Sequence, residues 1–326
     1  MKISAPVSSV EETEALIKAG AGELYCGLVP GKWREAYSGA ISTNKREYER
    51  ANLSNWRELK DIVRDASRFK KDVILALNNL YLQSQYPEII QYGRRALVSG
   101  IKGLVVADLG LVSLLRKNKI NIPVYISVIN PSLNSEAAKL YGLLGVKRAV
   151  LERHMSLGEI RKITLKNRGI PFELFVLNAG SKNLDGYCAF AHGLEELKTK
   201  EPEDVFHSAA CYFDYKIKMH KPAAGNSSFS ADILQKIRSS FSPACSGRKP
   251  CAACFLPYFK KWGILALKIA GRDFPSQEKI RDVRFIRNLT DRLEEGWSSA
   301  KFSRFARRLF KDTYSFDCGG FCYYAD

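Results

Sequence analysis

The chain is short of acidic residues: 34 Asp and Glu stand against 51 Lys and Arg, which leaves a formal net charge of +17 over 326 residues. That imbalance points to a polyanionic partner, with nucleic acid first and an anionic membrane surface or an acidic metabolite behind it. Long apolar runs are also missing. No stretch approaches the ~18 uncharged apolar residues that a membrane span needs, and the opening Met1-Lys2-Ile3-Ser4-Ala5-Pro6 reaches Glu11 and Glu12 without a signal-peptide core. A cytoplasmic chain with no membrane span is therefore expected. Ser4-Ala5-Pro6-Val7, after the first apolar run, cannot cradle a pyrophosphate as GxGxxG would, which disfavours a dinucleotide site. Neither a GxSxG nucleophile elbow nor an HExxH helix is present, so these residues support neither a serine-type nor a zinc peptidase mechanism.

What is present is a core. At 46% hydrophobic residues the chain is not disordered, and eight short β-branched or aliphatic runs recur along it. They are residues 2–4, 23–26, 73–77, 103–106, 124–128, 148–151, 172–177 and 265–269, several nearly all apolar, as parallel strands covered on both faces should be. Between them the spacing predicts helices over 10–19, 55–67 (behind Ser54), 86–99, 109–117, 135–144 (behind Asn134) and 157–168 (behind Ser156). Gly20, Gly100, Gly145 and Gly169 fall where helices should stop. Repeated β-then-α units read as an α/β (β/α)8 TIM-barrel-like domain, with an open doubly wound sheet as runner-up. The rhythm breaks once, with about 87 residues between strands 7 and 8. The expected organisation is seven β/α units in 1–177, a cysteine-rich insertion in 178–262, the last β/α unit in 263–298, and a basic helix with a Cys-containing tail in 299–326.

The insertion carries Cys188, Cys211, Cys245, Cys251 and Cys254; Cys26 ends the second strand, and Cys318 and Cys322 lie in the tail. Eight cysteines in a cytoplasmic chain suit metal ligation or thiol chemistry better than a disulfide framework. In Cys251-Ala-Ala-Cys254 the intervening turn brings both sulfurs to one metal or cluster, and Cys245, Cys211 and His207 offer further ligands. Cys26 reads as buried core. On spacing alone, zinc and iron–sulfur remain open.

Ile3-Ser4-Ala5-Pro6, Glu23-Leu-Tyr-Cys-Gly27, the stretch from Ile126-Ser127 to Ala138, Arg148-Ala-Val-Leu-Glu-Arg153 and Lys268-Ile-Ala-Gly-Arg272 together resemble the collagenase-like peptidase family U32. The resemblance implies a barrel-type domain and, for several members, oxygen-independent hydroxylation of tRNA, ribosomal RNA or a ubiquinone precursor. It also implies a 4Fe-4S cluster on four cysteines, with prephenate as oxygen source for some. Carried across by motif, three ligands look like Cys188, Cys211 and Cys254. A fourth family cysteine is replaced in Asn178-Ala-Gly-Ser181, and Cys251 is taken for it, with Cys245, His207 and Cys26 behind. Ala270, Arg153-His154 and Ser127-Val128-Ile129 also depart from the family pattern, which marks a divergent branch.

Arg153 and His154 end strand 6, and Lys268 and Arg272 close strand 8, so in a barrel these groups should converge on one mouth. Two arginines there suit a carboxylate or phosphate, unless each pairs with a structural carboxylate; His154 is a candidate proton donor or a surface histidine. Arg153, His154 and Arg272 are thus the candidate catalytic groups. From Tyr258 to Lys311 there are 14 Lys and Arg against six Asp and Glu. Phe302, Phe305, Ala306 and Leu309 fall at helical spacing among Lys301, Arg304, Arg307, Arg308 and Lys311. That helix either tracks phosphates or lipid, or docks its Phe stripe on the barrel and shows a basic face. The expected function is an iron–sulfur-dependent, oxygen-independent hydroxylase acting on RNA or another aromatic substrate, with a small acidic co-substrate and a related partner subunit as further partners. The alternatives are a collagenase-like peptidase and a non-catalytic RNA-binding or assembly subunit with a structural metal such as zinc.

Overall fold

A computed structural model describes residues 1–37, 42–46, 49–178, 183–188, 249–318 and 322–324. The eight expected strands are there: β1 (Lys2–Pro6), β2 (Glu23–Gly27), β3 (Asp72–Leu77), β4 (Gly103–Val106), β5 (Val124–Ile126), β6 (Arg148–Val150), β7 (Phe172–Leu177) and β8 (Ala266–Ile269). Each runs parallel to the next, and Lys2↔Ala266, Ile3↔Leu267 and Ser4↔Lys268 join β8 to β1, closing a barrel rather than an open sheet. The helices are α1 (Thr13–Lys18), α2 (Gly31–Tyr37), α3 (Trp56–Arg68), α4 (Tyr86–Val98), α5 (Leu109–Lys117), α6 (Ser135–Leu143), α7 (Leu157–Lys166), α8 (Leu256–Lys261), α9 (Ser276–Arg292) and α10 (Ser299–Tyr314). The chain divides into two units, Met1–Cys188 with Lys249–Asp326, and Ala189–Arg248; the second lies outside the described residues, and with it Cys211, Cys245 and His207.

Local chemistry sets the boundaries. Asn134 caps α6, and Ser156 caps α7 in a box with Glu159, as expected. For α3 the cap is Asn55, which accepts from the amides of Arg57 and Glu58, while Ser54 instead bonds the Glu58 carboxylate. The α1 helix starts at Thr13, three residues later than its apolar spacing suggests, because Glu12 is drawn inward to accept from Ser8, Ser276 and Lys279. Gly20, Gly100 and Gly145 take positive φ where their helices stop, but α7 ends at Lys166 and Asn167 takes the C-cap before Gly169 is reached.

Strand alternation sorts the core. One set of strand side chains, Leu24, Cys26, Leu75, Leu104, Val106 and Ile126 among them, packs against the helices. The other set faces the lumen, where Tyr25, Ile74, Ala76 and Val105 form a separate cluster joined by Tyr125. The lumen also holds charge: Arg148 pairs with Glu23 and, at 3.1 Å, with Glu173, and Lys268 reaches Glu173 at 2.7 Å.

Candidate functional site at the barrel mouth

Above the charged layer lies an aromatic one. Lys268 Nζ stands 4.0 Å from the Tyr25 ring centroid and Arg153 Cζ stands 4.0 Å from that of Phe175. Lys268, expected at the mouth, therefore lies within the lumen: with Leu267 and Ile269 packed outward against the helices, the residue between them must point inward. Burial acts to raise the Glu173 carboxyl, but Lys268 and then Arg148 outweigh it and hold it below the usual carboxylate value.

Arg272 leaves the end of β8 and crosses the mouth. Its Nη2 donates to Asn44 Oδ1 at 2.7 Å and its Nη1 to Asn52 Oδ1 at 3.5 Å, and Asn44 also bonds Asn52 at 2.8 Å. These acceptors are neutral amides, and they orient the guanidinium. Lys279, buried in α9, ties the carbonyl of Arg272 to Glu12. Arg153 behaves differently: its Nε and Nη2 grip Asp185 at 2.9 and 3.1 Å, which fixes the 3-10 turn Asp185–Tyr187 against β6. The structural reading offered for a strand-end arginine thus applies to Arg153. Burial pushes the Tyr25 hydroxyl up, with Arg272, Arg46 and Arg153 all acting to lower it and Glu173 to raise it. The three arginines therefore act on one point of the lumen.

His154 Nδ1 lies 2.8 Å from Glu152 Oε1. Glu152 is fully buried and also accepts from the amide of Arg153. A half-exposed imidazole backed by a buried carboxylate is oriented for proton exchange. Sequence reasoning passed over Asn44, Asn52, Glu152 and Asp185; a carboxylate directly after the apolar run Ala149-Val150-Leu151, as Glu152 is, was the available signal.

The described cysteines separate into three places. Cys26 is buried in the outer core, donates to Ile74 O at 3.7 Å, and is pushed up to about 12 by burial, with Arg272 acting the other way. Cys188 follows the 185–187 turn; its carbonyl accepts from Lys45 and its Sγ lies 4.0 Å from Asn183 Nδ2. Cys251 and Cys254 line a cavity of about 120 Å3 together with Cys318, Cys322, Arg307 and Phe310. Burial raises the Cys251 thiol to about 12. A bond to Cys254, and then the charge of that sulfur and of Cys318, raise Arg307. An all-thiol donor set around an apolar cavity is the chemistry an iron–sulfur cluster takes, so these residues fit such a group. Among the described residues no three His, Cys, Asp or Glu are gathered into a site for a single metal ion.

The basic helix α10 buries Phe302, Ala306, Phe310 and Tyr314 on the barrel, with Phe305 and Leu309 half-buried, while Lys301, Arg304, Arg308 and Lys311 face outward. Among the described residues no helix is long and apolar enough to cross a membrane.

The chain has relatives among known proteins. It is 24% identical over 217 residues to tRNA hydroxylation protein P of Haemophilus influenzae, covering 67% of this chain and 44% of that protein. It is 21% identical over 220 residues to the Escherichia coli protein of the same name, covering 68% and 45%. The matched stretch thus spans less than half the length of these relatives. Among solved structures, a U32 peptidase aligns with a TM-score of 0.42 at 15% identity over 54% of this chain and 69% of its own. The model of Peptidase family U32 matches residues 8–322, and the chain belongs to that family.

Proposed function

We propose that this chain is a hydroxylation protein acting on tRNA, and that it works without molecular oxygen through an iron–sulfur cluster bound in part by Cys251 and Cys254. The observation that carries the reading is the mouth, where Arg272 is held between Asn44 and Asn52 above an aromatic layer of Tyr25 and Phe175. A guanidinium set beside aromatic rings suits a flat anionic ligand, with a carboxylate or phosphate facing the guanidinium. The relatives named for tRNA hydroxylation support the choice of tRNA among such ligands.

In this reading Arg272 binds and orients an acidic group of the substrate or of a small acidic co-substrate. Arg153, through Asp185, keeps the 183–188 segment seated beside it. His154, backed by Glu152, takes or returns a proton at the rim. A bound cluster supplies electron transfer, and the protein supplies position and electrostatics. The outward basic face of α10 gathers the phosphate backbone.

The test compares tRNA nucleosides, by mass spectrometry, from cells grown without oxygen that lack this chain, carry it, or carry Arg272→Gln. A one-oxygen mass increase on one nucleoside should appear with the intact chain and be lost in the other two. Identical nucleoside profiles in cells with and without the chain would sink the proposal.

A further inference from the structure

We propose that Cys251, Cys254, Cys318 and Cys322 are the four ligands of one iron–sulfur cluster, completed by the C-terminal tail and bordered by Arg307. The inference rests on the iron–sulfur part of the proposed function and is independent of what that cluster is used for.

The four sulfurs come from two segments 64 residues apart in the sequence, counted from Cys254 to Cys318, yet line one cavity of about 120 Å3. The backbone holds them there. Cys251 forms a parallel bridge with Cys322, and the amide of Tyr323 donates to Cys251 O at 2.9 Å. On its other side Cys251 bridges to Leu177 of β7, while the Tyr323 hydroxyl bonds Asn178 O. The tail is therefore stitched to the segment that carries the first cysteine pair. Tyr323 and Tyr324 are both buried, so the seam also has a hydrophobic anchor.

Apart from Arg307 the remaining wall is apolar, made by Ala252, Ala253, Phe255, Ala306 and Phe310. Four thiolates about 2.3 Å from one zinc would converge closely, whereas no such single-ion grouping exists among the described residues. A polynuclear cluster, with irons and sulfides between its ligands, does not need its four sulfurs to converge on one ion. Arg307 lines the same cavity as the four cysteines, so it adds a positive charge and a donor to one side of the cluster.

This set shares Cys254 and Cys251 with the ligands expected from the family resemblance, but replaces Cys188 and Cys211. Cys188, next to Lys45 and Asn183, is not part of the cavity wall.

The experiment uses the full chain purified without oxygen, measuring iron, acid-labile sulfide, zinc and the visible spectrum. Two double variants are compared, Cys318→Ser with Cys322→Ser, and Cys188→Ser with Cys211→Ser. The tail variant should lose one cluster's iron and sulfide with the corresponding absorption, while the other variant retains that cluster. Full iron and sulfide in the tail variant would overturn the assignment, as would zinc without sulfide in the unaltered chain.

A misfolded tail variant would mimic the expected loss, so the unaltered protein is also alkylated before and after iron removal. Peptide mass spectrometry should show Cys318 and Cys322 protected in the iron-loaded protein and reactive once the iron is stripped. Equal labelling in both states overturns the assignment whatever the variants do. Arg307→Gln should keep the iron content and lower the cluster's reduction potential; an unchanged potential would remove Arg307 from the site. None of these readouts depends on tRNA, so loss of the hydroxylation reading leaves them standing.

Discussion

Gly27 ends β2 directly beneath the guanidinium of Arg272, so close that a Cβ there would overlap Arg272 Nη1 and Asn52 Oδ1. The glycine keeps the mouth open for that side chain. Because the obstructed atoms belong to side-chain ends, Gly27→Ala should move the guanidinium at a cost of about 1–3 kcal/mol. The expected outcome is a small fall in melting temperature with loss of the hydroxylated nucleoside. Full product from a displaced Arg272 would show that its placement does not matter.

The lumenal carboxylate of Glu173 makes a pH prediction. It is held between Lys268 and Arg148, and its folded-state pKa lies below the unfolded value of about 4.3. Its ionisation therefore adds stability that is present above about pH 4.3 and is lost as pH falls through the lower folded-state value. Glu173→Gln should cost about 3–5 kcal/mol near neutrality, since it leaves buried cations short of a partner. Urea titrations from neutral to acid pH should show a flatter acid limb in the variant, and parallel curves would contradict this account.

Replacing Arg304, Arg308 and Lys311 by alanine should leave the fold unchanged, because all three face outward from α10. RNA affinity should fall, and the slope of log affinity against log salt should flatten by roughly one for each phosphate that is no longer neutralised. Filter binding at several salt concentrations reads this directly. An unaltered slope would confine α10 to a packing role.

Phe310→Ala tests that packing role. The ring is 1% exposed and meets Phe285 edge-on at 5.8 Å, so truncation should cost about 3–5 kcal/mol. It should also loosen the wall of the cysteine cavity and speed loss of bound iron to a chelator. Unchanged stability would mean that the helix is not seated as described.

Much of the fold was legible because parallel barrel strands are short apolar runs with glycine-stopped helices between them. β4 and β7 match their expected ranges, and the other strands differ by one or two residues at an end. Arg153 and Arg272 could be placed at the mouth because a barrel fixes where strand ends point. Lys268 was misplaced because its position at a strand end was weighed and its alternation with Leu267 and Ile269 was not. Asn44 and Asn52 could not be found from local pattern, since they meet Arg272 across more than two hundred residues. The convergence of Cys318 and Cys322 on Cys251 was hidden for the same reason. It depends on a backbone pairing between segments that neither spacing nor propensity connects.

The ends of the stretch between β7 and the first cysteine pair are hydrogen-bonded neighbours: Leu177 bridges Cys251, and the amide of Asn178 donates to Pro250 O. The polypeptide leaves the barrel and returns to it through a single doorway. For a segment pinned at such a doorway, each doubling of length adds only about 0.6 kcal/mol of closure cost. Lengthening or shortening the stretch between the two posts therefore changes the closure cost only a little.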